Sequence, residues 1–336
     1  MAETPWLDDA AQAAQRYEEA AAVAVEACAD DTRGQTCYIC HGEGDEDEGL
    51  VRGCACRGDN GYAHLSCLAR GAQAAVQRGV QNRGWTRWHT CGQCKQQYHG
   101  VVRCALGWAC WKTYVGRPEV DCLRKSAITM LGSGLQAASH NEEALSVKEA
   151  EVSMARRIGA RAEVLLAVQG NLACTYQKLG RNEQALNMFR DVYSGRLRLK
   201  GEEHKKTLSA ANNYALSLLK AKRFADIKSL LRKMIPVAQR VLGESNDLTL
   251  KMRGCYAMAL YRDPDATLDD LREAVSTVED AERIARRVFG GAHPFMTGFE
   301  KAVRVSRAAL GARETAPPPP PPPPPPAPLY DEDELE

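Results

Sequence analysis

The sequence has almost no net charge, no apolar run long enough to cross a bilayer, and no basic leader. It carries 44 Lys and Arg against 43 Asp and Glu, a formal charge of +1. No global field therefore points to nucleic acid or a membrane surface as partner. The most apolar stretch, Cys104 to Trp111, is eight residues bounded by Arg103 and Lys112, where a helical span needs about twenty. It reads as a buried connecting helix. Residues 1–31 include Asp8, Asp9, Glu18 and Glu19 and form no basic, apolar signal segment. They predict an Ala-rich helix from about Leu7 to Cys28, with Pro5 near its start. A soluble protein of the cytoplasm or nucleus is expected, with no nucleic-acid partner and no membrane span. Disulfides are not expected either. Cys28, Cys104, Cys110, Cys122, Cys174 and Cys255 show no paired spacing and read as reduced thiols.

The other seven of the thirteen cysteines are a different matter. With one histidine they fall into four short pairs: Cys37-Tyr-Ile-Cys40, Cys54-Ala-Cys56, His64-Leu-Ser-Cys67 and Cys91-Gly-Gln-Cys94. Two sulfurs of a Cys-x-x-Cys turn reach one metal, and zinc prefers four thiolate or imidazole ligands in a closed structural site. Eight ligands predict two zinc ions. Spacing alone allows two consecutive sites or two interleaved ones. With all positions filled by protein, no open position remains to activate water, so hydrolytic chemistry at these metals is not expected.

The ligand order, four Cys, one His, three Cys, is shared by two zinc families. A single residue separates Cys54 from Cys56, and seven residues, Arg57 to Ala63, precede His64. That spacing departs from the PHD finger, a reader of histone tails. It resembles the RING-CH (variant RING) family of ubiquitin ligases, whose motif also matches the opening Cys37-Tyr-Ile-Cys40-His-Gly-Glu-Gly and the closing Cys91-Gly-Gln-Cys94-Lys-Gln-Gln-Tyr. The resemblance implies a cross-braced fold, with Cys37, Cys40, His64 and Cys67 holding one zinc and Cys54, Cys56, Cys91 and Cys94 the other. It implies a partner as well, a conjugating enzyme charged with ubiquitin, and no covalent intermediate. Catalysis then consists of positioning, with no catalytic residue of its own. By the same resemblance Ile39 is an apolar contact for that enzyme, and Lys95 a basic residue beside it. One position departs from the family: Gly71 stands where a Trp is common. The long stretch Leu68 to Thr90 offers Trp85 and Trp88 as substitutes. The acidic loop Gly42 to Gly49 lacks an ordered calcium-binding pattern and reads as solvated.

From about Ala127 the sequence repeats. Asn171-Leu-Ala, Asn213-Tyr-Ala and Cys255-Tyr-Ala are spaced by 42 residues, as are Gly159, Gly201 and Gly243. A fixed period of this length predicts a solenoid of helix pairs. The pattern resembles tetratricopeptide repeats of the kind found in kinesin light chains. Four units are expected near 128–169, 170–211, 212–253 and 254–301, followed by a capping helix to about Leu310. Such repeats present a surface to a protein or peptide target. From Gly170 to Arg240 there are 15 Lys and Arg against 5 Asp and Glu, a bias toward acidic partners. Ten prolines, Pro317 to Pro326, precede an acidic tip, Asp331 to Glu336. This is a stiff rod and a candidate ligand for polyproline-binding domains.

The expected architecture is mainly α: a small two-zinc domain with little β, followed by an α-α superhelix. The expected divisions are an N-terminal helix (1–31), the zinc domain (32–100), a connecting helix (101–126), helical repeats (127–311) and a proline and acidic tail (312–336). The leading expectation is a RING-type ubiquitin ligase, a ubiquitin-protein transferase whose repeats bind the target. The alternative is a non-catalytic zinc-binding adaptor.

Overall fold

The computed structural model describes residues 7, 9–45, 48–56, 58–79, 84–291 and 293–315. Pro5, the proline run and the acidic tip lie outside the described residues. The chain divides into two compact units, Met1–Arg223 and Phe224–Glu336. The structure is mainly helical, with little sheet, a small zinc-finger-like domain and a series of helix pairs.

In the first unit α1 spans Ala10–Glu26 and starts later than the sequence suggests. Asp9 is its N-cap, with its carboxylate accepting from the N–H groups of Ala11 and Gln12. A short helix, α2 (Ala29–Thr32), leads to a two-stranded antiparallel sheet of β1 (Leu50–Val51) and β2 (Ala63–His64). Then come α3 (Leu65–Gln77) and α4 (Gly100–Tyr114). The sheet pairs Leu50 with His64 and Val51 with Ala63. This register brings a ligand histidine to the edge of α3.

The stretch expected only to join domains, α4, is central to the first unit. It packs against α1, α3 and α5 (Cys122–Ala137). One face puts Trp108, Trp111 and Tyr114 into a core with Ile128, Leu131 and Leu135 of α5. Another puts Val102, Ala105 and Leu106 against Leu50, Tyr62 and Tyr98 of the zinc-finger region. α4 and α5 approach through glycines. A Cβ at Gly134 would stand 2.8 Å from the Arg103 carbonyl oxygen, and one at Gly107 would stand 3.2 Å from that of Met130. Any side chain at Gly134 would force the helices apart. The indole Nε1 of Trp111 donates to the Leu7 carbonyl at 2.9 Å, tying the start of the described chain to α4.

Helix pairs follow: α5 with α6 (Asn141–Arg157), then α7 (Ala162–Lys178) with α8 (Asn182–Lys200), then α9 (Lys205–Lys220). Leu145, Val152, Val168, Leu172, Ala173 and Phe189 form their shared core. The second unit holds α10 (Phe224–Leu242), α11 (Asp247–Arg262), α12 (Leu268–Phe289) and α13 (Pro294–Glu314). Its core includes Leu250, Ala257, Val278, Ala281, Met296 and Phe299. Five of the extra residues in the last repeat, Asp263–Thr267, form the connection before α12. It ends in a capping box between Thr267 and Asp270.

The period is as expected, but its phase differs. First helices begin at Ala162, Lys205 and Asp247, seven or eight residues before the expected starts at 170, 212 and 254. Asn171, Asn213 and Cys255 therefore lie within first helices, whereas Gly159, Gly201 and Gly243 follow the ends of α6, α8 and α10 with positive φ. The tight turns after α5, α7 and α9 also need a left-handed residue. Ser139, Gly180 and Lys222 supply it, with φ of 66°, 73° and 57°. Among the described residues, no helix is long and apolar enough to cross a membrane.

Candidate metal centres and partner groove

The eight ligand-type residues gather in two groups. Cys37, Cys40, His64 and Cys67 form one, and Cys54, Cys56, Cys91 and Cys94 the other. Within each, the ligand atoms lie within 4.8 Å of one another. The groups are interleaved along the chain. β1 and β2 are antiparallel neighbours, so the ligand pair after β1 joins one group and the pair at the end of β2 joins the other.

Two turns of the same construction supply half the ligands. In the first, the Cys37 N–H donates to the Gly42 carbonyl at 2.8 Å and the His41 N–H to the Cys37 carbonyl at 2.8 Å. In the second, Cys91 donates to Gln96 at 2.8 Å and Lys95 to Cys91 at 3.2 Å. Each is flanked by an isolated bridge, Thr36 with Glu43 and Thr90 with Gln97. In each, the residue after the second cysteine has positive φ, 63° at His41 and 61° at Lys95. Backbone N–H groups turn onto sulfur, Ile39 to Cys37 Sγ and Gln93 to Cys91 Sγ, both at 3.4 Å. Such bonds favour the thiolate form. At Cys37 burial pushes the thiol up, but hydrogen bonds from the backbone of Cys40, His64 and Ile39 outweigh it and hold the thiol at about 7. At Cys94 the backbone N–H of Gln96 is the largest influence, and it too is lowered to about 7.

The donor set fits zinc. Tetrahedral zinc with bonds of about 2.0–2.3 Å sets ligand atoms roughly 3.3–3.8 Å apart. Here Cys40 Sγ and His64 Nδ1 are 3.3 Å apart, Cys67 Sγ and His64 Nδ1 3.9 Å, and Cys56 Sγ and Cys91 Sγ 3.7 Å. The other ring nitrogen of His64, Nε2, lies 3.0 Å from the Glu43 carbonyl oxygen. Donating there fixes the tautomer that leaves Nδ1 free for a metal. Burial pushes the thiols of Cys54, Cys56 and Cys67 up, because buried thiolates need a compensating cation. These clusters are compatible with two structural zinc ions, whose role is to hold the fold together.

The acidic loop is less idle than expected. Glu48 Oε1 accepts from the Ser66 N–H at 2.8 Å and Oε2 from the Ser66 hydroxyl at 2.7 Å. A carboxylate thus satisfies an orphan donor in the first turn of α3 and meets its positive end.

Beside the metal clusters is a cavity of about 330 Å³, lined in part by Tyr38, Ile39, Leu68, Gly71, Ala72 and Tyr98. Ile39 is 42% exposed on this wall. Arg78, Arg87, Gly92 and Gln93 complete much of the rim. Lys95 is exposed, and its ammonium donates to the Gly92 carbonyl. Trp85 and Trp88 do not line this cavity. Trp88 is only 2% exposed and meets Tyr114 edge-on at 6.1 Å, while Trp85 tilts against the same ring at 5.6 Å. Trp88 lies in the core around α4, and Trp85 packs partly buried against it.

Sequence reading missed Leu68, Arg78 and Arg87. Gly92 was the available signal for Arg87. Its φ is not positive, yet a Cβ there would stand 1.4 Å from Arg87 Nη1. The glycine makes room for a guanidinium.

The repeats contain a buried polar cluster. Lys148 Nζ donates to Gln136 Oε1 at 2.9 Å and Thr175 Oγ1 at 2.8 Å, and Glu151 accepts from the Thr129 hydroxyl. Burial lowers Lys148 to about 8 and raises Glu151 to about 7.

Comparison with known proteins agrees with this geometry. Residues 37–95 match the family model of the RING-variant domain, and residues 165–204 and 207–247 match that of a tetratricopeptide repeat. No curated protein matches the chain. Among solved structures it is similar to BtubC (BKLC) from P. vanneervenii, with 14% identity and a TM-score of 0.45 over 76% of this chain and 93% of that one. It is also similar to a Podosopora anserina putative kinesin light chain with nearly identical TPR-like repeats. There the identity is 20% and the TM-score 0.46, over 67% of this chain and 97% of that one. The chain joins a RING-variant domain at 37–95 to tetratricopeptide repeats at 165–247.

Proposed function

We propose that this protein is a RING-type ubiquitin ligase. The observation that carries the reading is the exposed Ile39 on the wall of a cavity between the two ligand turns. A conjugating enzyme charged with ubiquitin docks there, with Ile39 as apolar anchor and Lys95 as a basic neighbour. Both turns are fixed by their metal clusters, so the contact surface is preorganised. The chain supplies position rather than a nucleophile. The repeats bind the protein or peptide to be modified, and the proline run is a further ligand for polyproline-binding domains. The divisions of this machine are residues 32–100 for enzyme recruitment, 101–126 as connection and 127–311 for target binding, flanked by segments 1–31 and 312–336. It acts in the cytoplasm or nucleus.

The test is autoubiquitination by the full chain with a panel of conjugating enzymes. Ile39→Ala is expected to lower activity at least about thirtyfold, the effect of losing an anchor worth about 2 kcal/mol, with zinc content unchanged. Full activity of Ile39→Ala would remove the groove from the mechanism. A second reading, a non-catalytic adaptor, is favoured by Gly71. A Cβ there meets nothing within 4 Å, so the groove is open at that point. Inactivity of the wild type with every enzyme in the panel would select it.

A further inference from the structure

The rim of the Ile39 cavity carries two arginines. Arg78, just past α3, donates through Nε to the Ala74 carbonyl at 3.1 Å. Arg87 lies over the backbone of Gly92, whose missing side chain leaves room for its guanidinium. Both are exposed, and neither forms an ion pair with a carboxylate among the described residues. This is unlike the arginines of the repeats, where Arg157 reaches Glu119 and Arg181 reaches Glu142 at 3.1 Å. Between them the wall carries Tyr38, Ile39, Leu68 and Ala72 beside the more polar Gln93, and it opens at Gly71.

From this juxtaposition we infer that the groove selects conjugating enzymes whose docking loop places a carboxylate beside a bulky apolar side chain. The inference rests on the ligase reading and adds the chemistry of the partner to it. The apolar side chain enters along Ile39 and Leu68 toward the space at Gly71. The carboxylate meets Arg87 and Arg78 at the rim, where partial exclusion of water strengthens the pairing. Arg87 lies over Gly92 of the second ligand turn and Arg78 just past α3, so both cations line the groove. Enzymes with a neutral or basic residue at that place bind less well, because the two cations stay unpaired or face a third.

The experiment is calorimetric titration of the zinc-loaded full chain with purified conjugating enzymes. Each is used as wild type and with the acidic residue of its docking loop changed to Lys. Arg87→Glu is expected to weaken binding of the acidic-loop enzymes at least about tenfold, and the Arg78→Glu, Arg87→Glu double variant more so. The charge-reversed enzymes should recover most of that loss with these variants. Arg87→Gln, which keeps a polar side chain, should lose less, and unchanged zinc content and helicity certify that each variant is folded. Binding unchanged within twofold in Arg87→Glu, or tightest binding by enzymes with a basic loop, overturns the inference. If Ile39→Ala weakens binding while the arginine variants do not, the ligase reading stands and the charge selection falls. If no enzyme binds the wild type, both fall together.

Discussion

The RING-variant region and the helix pairs of the first unit reach order by opposite routes. From Cys37 to Tyr98 the described secondary structure is two strands of two residues, short turns, two brief 3-10 segments and one helix. So little regular structure buries little apolar area of its own, and in such a segment metal binding supplies much of the folding free energy. From α5 to α9 there are no metal ligands. Leu131, Leu135, Ala173 and Leu208 are fully buried between long helices, and order comes from side-chain packing. In the zinc region the stabilising contribution is concentrated at eight residues. In the repeats it is spread over dozens, and each contributes modestly.

Chelation is the sharpest way to break this comparison. Removing metal, or replacing His64 by Ala or Cys91 by Ser, is expected to unfold residues 37–98. The loss is about 10 kcal/mol or more per site, with two zinc ions per chain by metal analysis of the wild type. Circular dichroism should retain the helical signal of the repeats. A uniform loss of helicity would mean the two regions are one cooperative block. The corresponding change in the repeats is Leu208→Ala, which empties a fully buried position in α9. A cost of about 2–5 kcal/mol is expected in denaturant unfolding, with zinc content unaffected.

How much of this was visible beforehand follows from the range of each interaction. Metal ligands in short pairs are local in sequence, so Cys37 to Cys94 stood out. Their partition into two groups was left open by spacing and came from the resemblance alone, because it depends on which strands pair, as Leu50 does with His64. The repeat period was readable from recurring Ala and Gly. Its phase was misplaced because Asn171 and Asn213 recur in mid-helix, where they mark a face and not a boundary. Whether Trp85 and Trp88 faced solvent or core depended on Tyr114, 26 residues beyond Trp88 and on another element. Arg87 was hidden because its position is set by an atom Gly92 lacks.

Acid and base probe the repeats where metal cannot. Burial raises Glu151 from 4.5 to about 7, so its folded form holds a proton that the unfolded form releases. Its contribution to stability is present at low pH and falls as pH rises from about 4.5 to 7. Lys148 is depressed from 10.5 to about 8, so the unfolded state binds the extra proton and stability rises between about pH 8 and 10.5. Together they place a shallow minimum at about pH 7–8. Glu151→Gln is expected to remove the acid-side slope and gain about 1–3 kcal/mol at pH 8, measured by urea unfolding across that range. An unchanged slope would show that this carboxyl is not the titrating group.

The smallest expected effect is at the turn between α7 and α8. Gly180→Ala should cost about 1 kcal/mol, because φ is 73° there and a Cβ resists it. Ser139→Gly, in the matching turn between α5 and α6, should gain a similar or smaller amount. If both changes are neutral, the turns follow the helices and do not direct them.

The bond from Trp111 to Leu7 has a consequence for biosynthesis. α1 emerges from the ribosome early, yet the surface it packs on, α4, is complete only at Tyr114. A lone helix of this length is marginal in water. At a translation rate of about 5–20 residues per second, α1 waits roughly 5–20 s for its partner. In that interval all eight metal ligands are synthesised and leave the tunnel ahead of most of α4. A metal bound at that stage would meet a nascent segment not yet covered by α4. Slowing translation between residues 95 and 114 should favour correct metal loading, while a fast passage shortens the time in which the sulfurs can be sorted into their two groups.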